Sequence, residues 1–209
     1  YRHEYLGEAT GSGGEVFPNV VTRTITDEEI ERMQYVYCGL DWGFSVDPFA
    51  FIRLSYDRKT DTIYLIDELY QKNCSNARIA EMIKEKGYHL SGKLSPGGVM
   101  YSPYAEQQTI FADAAEPKSI ADLRGAGLKI YPCKKYPGSV IYGIRWLQNR
   151  KIVIDPKRTP HAWKEFTEYE YLTTKDGEFL ADVPDENNHI LDSCRYALDR
   201  LINNRGVSA

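Results

Sequence analysis

Two aspartates follow directly after apolar runs that have the composition of β-strands. Asp41 ends the run 35–41, and Asp113 ends the run 109–113. Both runs are rich in the β-branched and aromatic residues that favour strands. Ligands of open α/β sheets gather at the edge where the carboxyl ends of parallel strands meet. If these two strands are neighbours, both carboxylates lie at that edge, and Asp41 is the first member of a site there.

A third carboxylate comes from the last amphipathic segment of the chain. His189 and Asp192 are three residues apart, so on a helix they share a face near its start. Carboxylate oxygens are hard ligands that suit Mg²⁺ or Mn²⁺. Two such ions, about 3.5–4 Å apart, can activate a water and stabilise the leaving oxygen of a phosphodiester. Three carboxylates held together repel one another, which favours a bound cation if they converge.

Each of these residues also has an ordinary structural explanation. Asp113 alone could close a turn, and His189 could be a surface or capping residue at the start of its helix. Asp192 is predicted on the core side of that helix, where a carboxylate is costly unless it is paired or metal-bound. A salt bridge from Asp192 to an arginine is therefore the alternative to a metal.

Other acidic residues are weaker candidates. Asp67 and Glu68 are adjacent on a predicted strand, so only one of the two can face the site, and Glu68 is a possible fourth ligand. Asp185 and Glu186 immediately precede the last helix and are expected to cap its N-terminus.

The basic residues offer possible contacts to DNA phosphates. Lys134 and Lys135 follow a predicted strand in a loop, where a phosphate contact is plausible. Other residues could extend a strip that follows the DNA backbone, although a solvated surface is the default expectation. They are Arg145, Arg150, Lys151, Lys157 and Arg158.

Composition and charge argue against several classes of protein. The 209 residues carry a net charge of −4, which argues against a generic nucleic-acid binder with a basic surface. No apolar run approaches the roughly 20 residues of a membrane-spanning helix. The four cysteines lack zinc-ligand spacing. No Walker A motif is present, so any ATPase activity is expected outside this chain.

Periodicity and turn residues divide the chain into alternating elements. Thr26 and Glu29 predict a capping box for a helix that ends near Met33. Short links make the next three strands an antiparallel meander. These strands are 35–41, 49–56 and 62–70. The further predicted helices are 76–86, 117–125, 139–149, 159–169 and 187–202; the further strands are 109–113, 128–131 and 152–154; a loop is predicted at 88–108 and a hairpin at 170–182.

This order of elements predicts an α/β domain of the ribonuclease H-like type, the superfold of RuvC-type resolvases and integrases. Its central mixed sheet begins with three antiparallel strands and continues with a β-α-β unit, which implies parallel pairing. Helices flank the sheet. Residues 35–209 are expected to form this domain, and residues 1–34 a linker or arm.

Several motifs in this order resemble the large terminase subunit of tailed bacteriophages. The motifs are YRHEYLGE at 1–8, GLDWG at 39–43, FADAAEP at 111–117 and DENNHILDSCRYA at 185–197, with KYPGSV at 135–140 similar to the family's central segment. Each motif is short, but their shared order makes the match specific. The similarity covers essentially the whole chain and corresponds to the family's C-terminal nuclease domain with part of the preceding linker.

The resemblance implies a metal-dependent endonuclease that cuts concatemeric viral DNA during packaging, in the cytoplasm of the infected bacterial host. Asp41, Asp113 and Asp192 would bind Mg²⁺ or Mn²⁺, with two ions expected, and His189 would lie beside them. The partners implied are double-stranded DNA and, for the full-length protein, an ATPase domain, the portal protein and the small terminase subunit. No membrane contact is expected, and ATP-driven translocation should be absent from this chain.

Three other interpretations stay open. A junction-resolving endonuclease of related architecture would act as a dimer on branched DNA, but it would begin near its first strand rather than after residues 1–25. A nucleotide-binding kinase of the actin-like superfold would need two such domains and a longer chain. A catalytically silent DNA-binding or assembly module would keep the carboxylates for structure alone.

Overall fold

A mixed β-sheet forms the centre of the protein. In this computed structural model, residues 13–43, 47–90, 94–95, 98–99 and 107–203 are described. The strands among them are β1 Val20–Thr22, β2 Val36–Asp41, β3 Phe49–Asp57, β4 Thr62–Gln71, β5 Leu94–Ser95, β6 Gly98–Val99, β7 Ile110–Ala112, β8 Ile130–Pro132 and β9 Lys151–Ile154. Seven strands form the sheet in the order β1-β9-β4-β3-β2-β7-β8, while β5 pairs with β6.

Helices cover both faces of the sheet. They are α1 Asp27–Arg32, α2 Asn76–Glu85, α3 Pro117–Gly125, α4 Ser139–Gln148, α5 Pro160–Glu168, α6 His189–Ala197 and α7 Asp199–Asn203. On one face, α4, α5 and α6 contribute to a hydrophobic core with residues of β3, β4 and β9. On the other face, α2 and α3 pack against residues of β2, β3 and β7. None of the helices in the described ranges is long and apolar enough to cross a membrane.

The predicted meander and the parallel unit are both confirmed. β2 pairs antiparallel with β3, and β3 pairs antiparallel with β4. β7 then pairs in parallel with both β2 and β8. The capping box at the start of α1 is also present, with Thr26 and Glu29 exchanging hydrogen bonds with each other's backbone N–H groups. These elements depend on short-range patterns, which is why the sequence predicts them well.

The predicted arm differs from the structure. β1 pairs in parallel with β9 at the sheet edge, and Val16 and Phe17 are buried in the core. Ile25 and Ile30 also pack against Val153. The segment from residue 16 to 34 is therefore part of the folded domain. A three-residue edge strand carries too little periodic signal to be detected in a stretch rich in glycine and polar residues. Residues 1–12 of the arm, with the motif at 1–8, lie outside the described residues, as does most of the predicted loop 88–108.

The final predicted helix is broken in two. α6 ends at Ala197, and α7 begins at Asp199. Leu198 is completely buried at the break, and its N–H group donates to the carbonyl of Cys194. The apolar pattern continues through both helices, so periodicity alone cannot reveal the interruption.

Candidate active site

Asp41 and Asp113 lie side by side at one edge of the sheet. Leu40 of β2 pairs with Ala112 of β7, and each aspartate is the next residue. The Asp113 N–H donates to the carbonyl of Leu40 at 3.1 Å, and Trp42 Nε1 donates to the carbonyl of Asp113 at 2.9 Å. The adjacency that the metal hypothesis requires is therefore present.

A close contact between α6 and β2 brings the third carboxylate to the same face. Side chains alternate along a strand, so Gly39 and Asp41 face the same way. A Cβ atom at Gly39 would lie 1.8 Å from the carbonyl oxygen of Ser193 in α6. Only glycine leaves room for this approach. As a result, His189 Nδ1 lies 3.1 Å from Asp41 Oδ2.

Two cationic side chains neutralise the other aspartates. Lys135 Nζ forms an ion pair with Asp113 Oδ1. Arg195 donates from Nε and Nη2 to Asp192 Oδ1 at 3.0 and 2.8 Å. The arginine pair considered as an alternative for Asp192 is thus present. Within the described ranges, no group of three or more histidine, cysteine, aspartate or glutamate side chains is close enough to hold a metal ion as it stands.

The electrostatics of the site favour an added cation. Burial raises the pKa of Asp41 to about 6, and the negative charges of Asp192 and Asp113 add to this increase, while the hydrogen bond from His189 opposes it. Burial also raises the pKa of Asp192, against the opposing effect of Arg195. The hydrogen bond to Asp41 raises the pKa of His189. Buried, mutually repelling oxygen donors match the chemistry of a divalent metal site.

An open cleft of about 260 Å³ adjoins the site at Asp192. Its lining includes Lys134, Lys135 and Asp185, together with Asp192 and Arg195. The predicted lysines thus lie at the site: Lys135 contacts Asp113 directly, and the backbone N–H of Lys134 donates to Asp199 Oδ1 at 3.0 Å. Lys134, Lys135 and Asp192 therefore line the same cleft.

Glu68 caps a helix in this structure. Its Oε1 accepts from the backbone N–H of His161 and its Oε2 from that of Ala162, both at 2.9 Å, at the start of α5. The His161 Nδ1 atom lies 2.6 Å from Glu68 Oε1. Asp67, on the opposite face, pairs with Arg53 at 2.9 Å. The contacts of Glu68 therefore give no support to its assignment as a fourth ligand.

The N-terminus of α6 is capped by Glu165, a residue that the sequence analysis did not single out. Glu165 Oε2 accepts from the N–H groups of Ile190 and Leu191 at 2.7 and 3.0 Å. The expectation that Asp185 and Glu186 cap this helix is not met, since the N-cap residue Asn188 makes no side-chain capping hydrogen bond and Glu165 supplies the acceptor. No local pattern could reveal this cap, because Glu165 comes from another helix.

The Glu165→Gln variant is expected to become increasingly more stable than wild type as pH rises from 5 to 8. Burial raises the pKa of Glu165 from 4.5 to about 8, although the two α6 N–H groups oppose this effect. The folded wild type therefore loses stability as pH rises through that window, whereas glutamine has no proton to lose. At about 1.4 kcal/mol per pKa unit, the difference should reach a few kcal/mol. Thermal melts across this pH range test the effect.

Glu168→Gln is the matched control for that experiment. Glu168 lies on the same helix but is exposed. The melting temperature of the Glu168→Gln variant should equal that of wild type at every pH. Parallel curves for wild type and Glu165→Gln would contradict the raised pKa.

Most residues of the proposed basic strip lie away from the site or form ion pairs within the protein. Arg150 pairs with Asp61 and stacks on Trp146, and Arg158 pairs with Asp27. Lys151 is exposed but pairs in register with Thr62, at the opposite end of β4 from the active-site edge. Arg145 and Lys157 are exposed. A continuous strip of these residues is therefore not formed.

The fold and the position of the aspartates define a ribonuclease H-like α/β domain. The family model described as "Terminase RNAseH like domain" matches residues 41–200. The chain belongs to this family, which is a family of nuclease domains.

Curated and structural relatives agree with this assignment. The large terminase subunit of Bacillus phage SPP1 is 40% identical over 213 residues, which cover all of this chain and 46% of that protein. The chain thus spans less than half the length of this relative. The SPP1 g2p nuclease domain, solved with bound Mn, is 36% identical with a TM-score of 0.75, covering 88% of this chain and 97% of the other. The large terminase nuclease of thermophilic phage G20c, solved with bound magnesium, has a TM-score of 0.51 at 13% identity. The match covers 90% of this chain and 97% of the other, and it supports the fold alone.

Proposed function

We propose that this chain is the nuclease domain of a large terminase that hydrolyses double-stranded concatemeric viral DNA during genome packaging. The single observation that carries the proposal is the pairing of β2 with β7, which places Asp41 beside Asp113 under α6. This arrangement occurs in a member of a nuclease family. It combines oxygen donors with an accessible cleft, as phosphodiester hydrolysis requires.

The roles of the residues follow from their positions. Asp41, Asp113 and Asp192 would hold divalent ions, Mg²⁺ or Mn²⁺, and we expect two. When bound, such ions lower the pKa of a coordinated water and stabilise the leaving oxygen. His189 orients the Asp41 carboxylate through its 3.1 Å contact. Lys135 and Arg195 balance the negative charge before the ions bind. The SPP1 relative with bound Mn supports this choice of metal.

The biological setting is part of the same proposal. An ATPase domain in the full-length protein would drive DNA translocation; the sequence of this chain contains no Walker A motif. The portal protein and the small terminase subunit would be its partners, in the cytoplasm of the infected bacterial host. The match to less than half of the SPP1 subunit supports a longer protein.

Supercoiled plasmid DNA tests the proposed activity. The wild-type chain should nick and linearise the plasmid in Mn²⁺ or Mg²⁺ and should leave it intact in EDTA, without any need for ATP. An absence of cutting in either metal would contradict the proposal and favour the silent module. A strong preference for four-way junctions over linear duplex would instead identify a resolvase-like enzyme.

A further inference from the structure

A second histidine lies on the far side of the active site from Lys135. Tyr70 of β4 pairs with Ala50, and Ala50 pairs with Asp41. Tyr70 is therefore two strands away from Asp41 on the same face, roughly 10 Å across the sheet. His161 stacks on the Tyr70 ring, with centroids 4.1 Å apart and planes 11° from parallel. The ring of His189 also contacts Tyr70, with the two ring centroids 6.5 Å apart.

The orientation of His161 is fixed by two contacts. Glu68 holds Nδ1 at 2.6 Å, and the Tyr70 ring supports the plane of the imidazole. Among the residues that the structure describes, none hydrogen-bonds Nε2, and the side chain is 47% exposed. The ring therefore has one free nitrogen in a fixed orientation. It lies beside Tyr70, which is in register with Ala50 and Asp41 across the sheet.

Helix stability does not require this imidazole. Glu68 already caps α5 through the backbone N–H groups of His161 and Ala162, and any residue except proline at position 161 would keep both bonds. The side chain of Glu68 is 5% exposed, so it is available to the ring but hardly to solvent. The imidazole is therefore available for a contact of its own.

We propose that His161 is a DNA-contacting residue, which binds a backbone phosphate through Nε2 about three nucleotide steps from the cleavage position, at 3.4 Å of rise per step. This inference rests on the proposed nuclease function. Glu68 occupies Nδ1, so Nε2 is the ring nitrogen that is left to contact a phosphate. Lys135 on one side of Asp41 and His161 on the other would then fix the DNA strand across the aspartates.

The proposed phosphate contact is expected at only one end of the cleft that His161 lines. That cleft, of about 620 Å³, also contains Lys164, one helical turn beyond His161, and Glu168 farther along α5. Glu168 is seven residues from His161, roughly 10 Å along the helix. Its negative charge, with that of Glu186 in the same cleft, disfavours DNA there. The phosphate contact is therefore expected at His161 itself.

Plasmid-cleavage kinetics and salt-dependent binding test the inference. For His161→Ala, KM for DNA should rise about 5- to 10-fold while kcat stays within about twofold, because a contact remote from the cleaved bond contributes uniform binding. Binding of a fluorescent duplex in EDTA, measured by anisotropy between 50 and 200 mM salt, should lose about 0.9 from the slope of log K against log salt. His161→Arg should retain the slope, because a guanidinium can pair with Glu68 and stack on Tyr70.

Lys151→Ala is the matched control. It removes an exposed positive charge about 25 Å away, at the other end of β4, and should leave both KM and the slope unchanged. An unchanged KM and slope in His161→Ala would overturn the inference, as would a fall in kcat alone, which indicates a structural role. If wild type fails to cut in any metal, the proposed function fails, while the anisotropy slopes still decide whether His161 contacts DNA.

Discussion

Asp41→Asn and Asp113→Asn are each expected to lower metal-dependent plasmid cutting by at least about 100-fold. Loss of a residue that only supports a metal ligand costs about 10- to 100-fold, so loss of a ligand should reach or exceed that range. Asparagine keeps the shape of the side chain but not its charge. Initial rates of supercoil loss in Mn²⁺ measure the effect. Retention of wild-type cutting by both variants would refute the assignment of the site.

Stability measurements separate a lost metal from a lost fold. Burial and the neighbouring aspartates raise the pKa of Asp41 to about 6, so ionised Asp41 destabilises the folded protein near pH 7. Asp41→Asn should therefore melt no earlier than wild type in EDTA. Wild type should gain about 2.7 kcal/mol at an Mn²⁺ concentration 100 times the Kd, and the variant should gain much less. Asp176→Asn, at an exposed position in the turn before Gly177, should behave like wild type in both assays.

Gly39→Ala is expected to reduce both stability and activity. The added Cβ would meet the Ser193 carbonyl at 1.8 Å and the Ala197 nitrogen at 2.7 Å, both backbone atoms that cannot turn aside. Overpacking of this kind costs about 1–3 kcal/mol or more, a fall of roughly 2–4 °C in melting temperature for each kcal/mol. Moving α6 also displaces His189 and Asp192, and a misplacement of 1 Å can cost about 100-fold in rate. Thermal melts and cleavage rates measure the two effects.

Gly125→Ala provides the matched control for the glycine experiment. Gly125 ends α3, and a Cβ atom there would have no neighbour within 4 Å. Alanine in a helix is favoured over glycine by up to about 1 kcal/mol, so this variant should be at least as stable as wild type and equally active. Normal activity in Gly39→Ala would show that α6 can move without disturbing the site.

The sequence by itself determined the elements that depend on neighbouring residues. The α1 capping box, the β2–β4 meander and the aspartates that end β2 and follow β7 all come from short-range patterns of side-chain type and spacing. The motif order was likewise sufficient for the family resemblance. β1 was missed because three residues of an edge strand carry little periodic signal.

Tertiary structure alone decided how those elements meet. The pairing of Asp192 with Arg195 instead of a ready-made metal site, the cap that Glu165 gives to α6, and the capping role of Glu68 all depend on which surfaces pack together. The same is true of His161, whose orientation depends on its stacking against Tyr70 of β4. Partners far apart in the chain leave no local pattern, because their contacts are set by strand register and helix approach. The sequence identified the carboxylates, and the packing of α6 on Gly39 placed His189 of that helix 3.1 Å from Asp41.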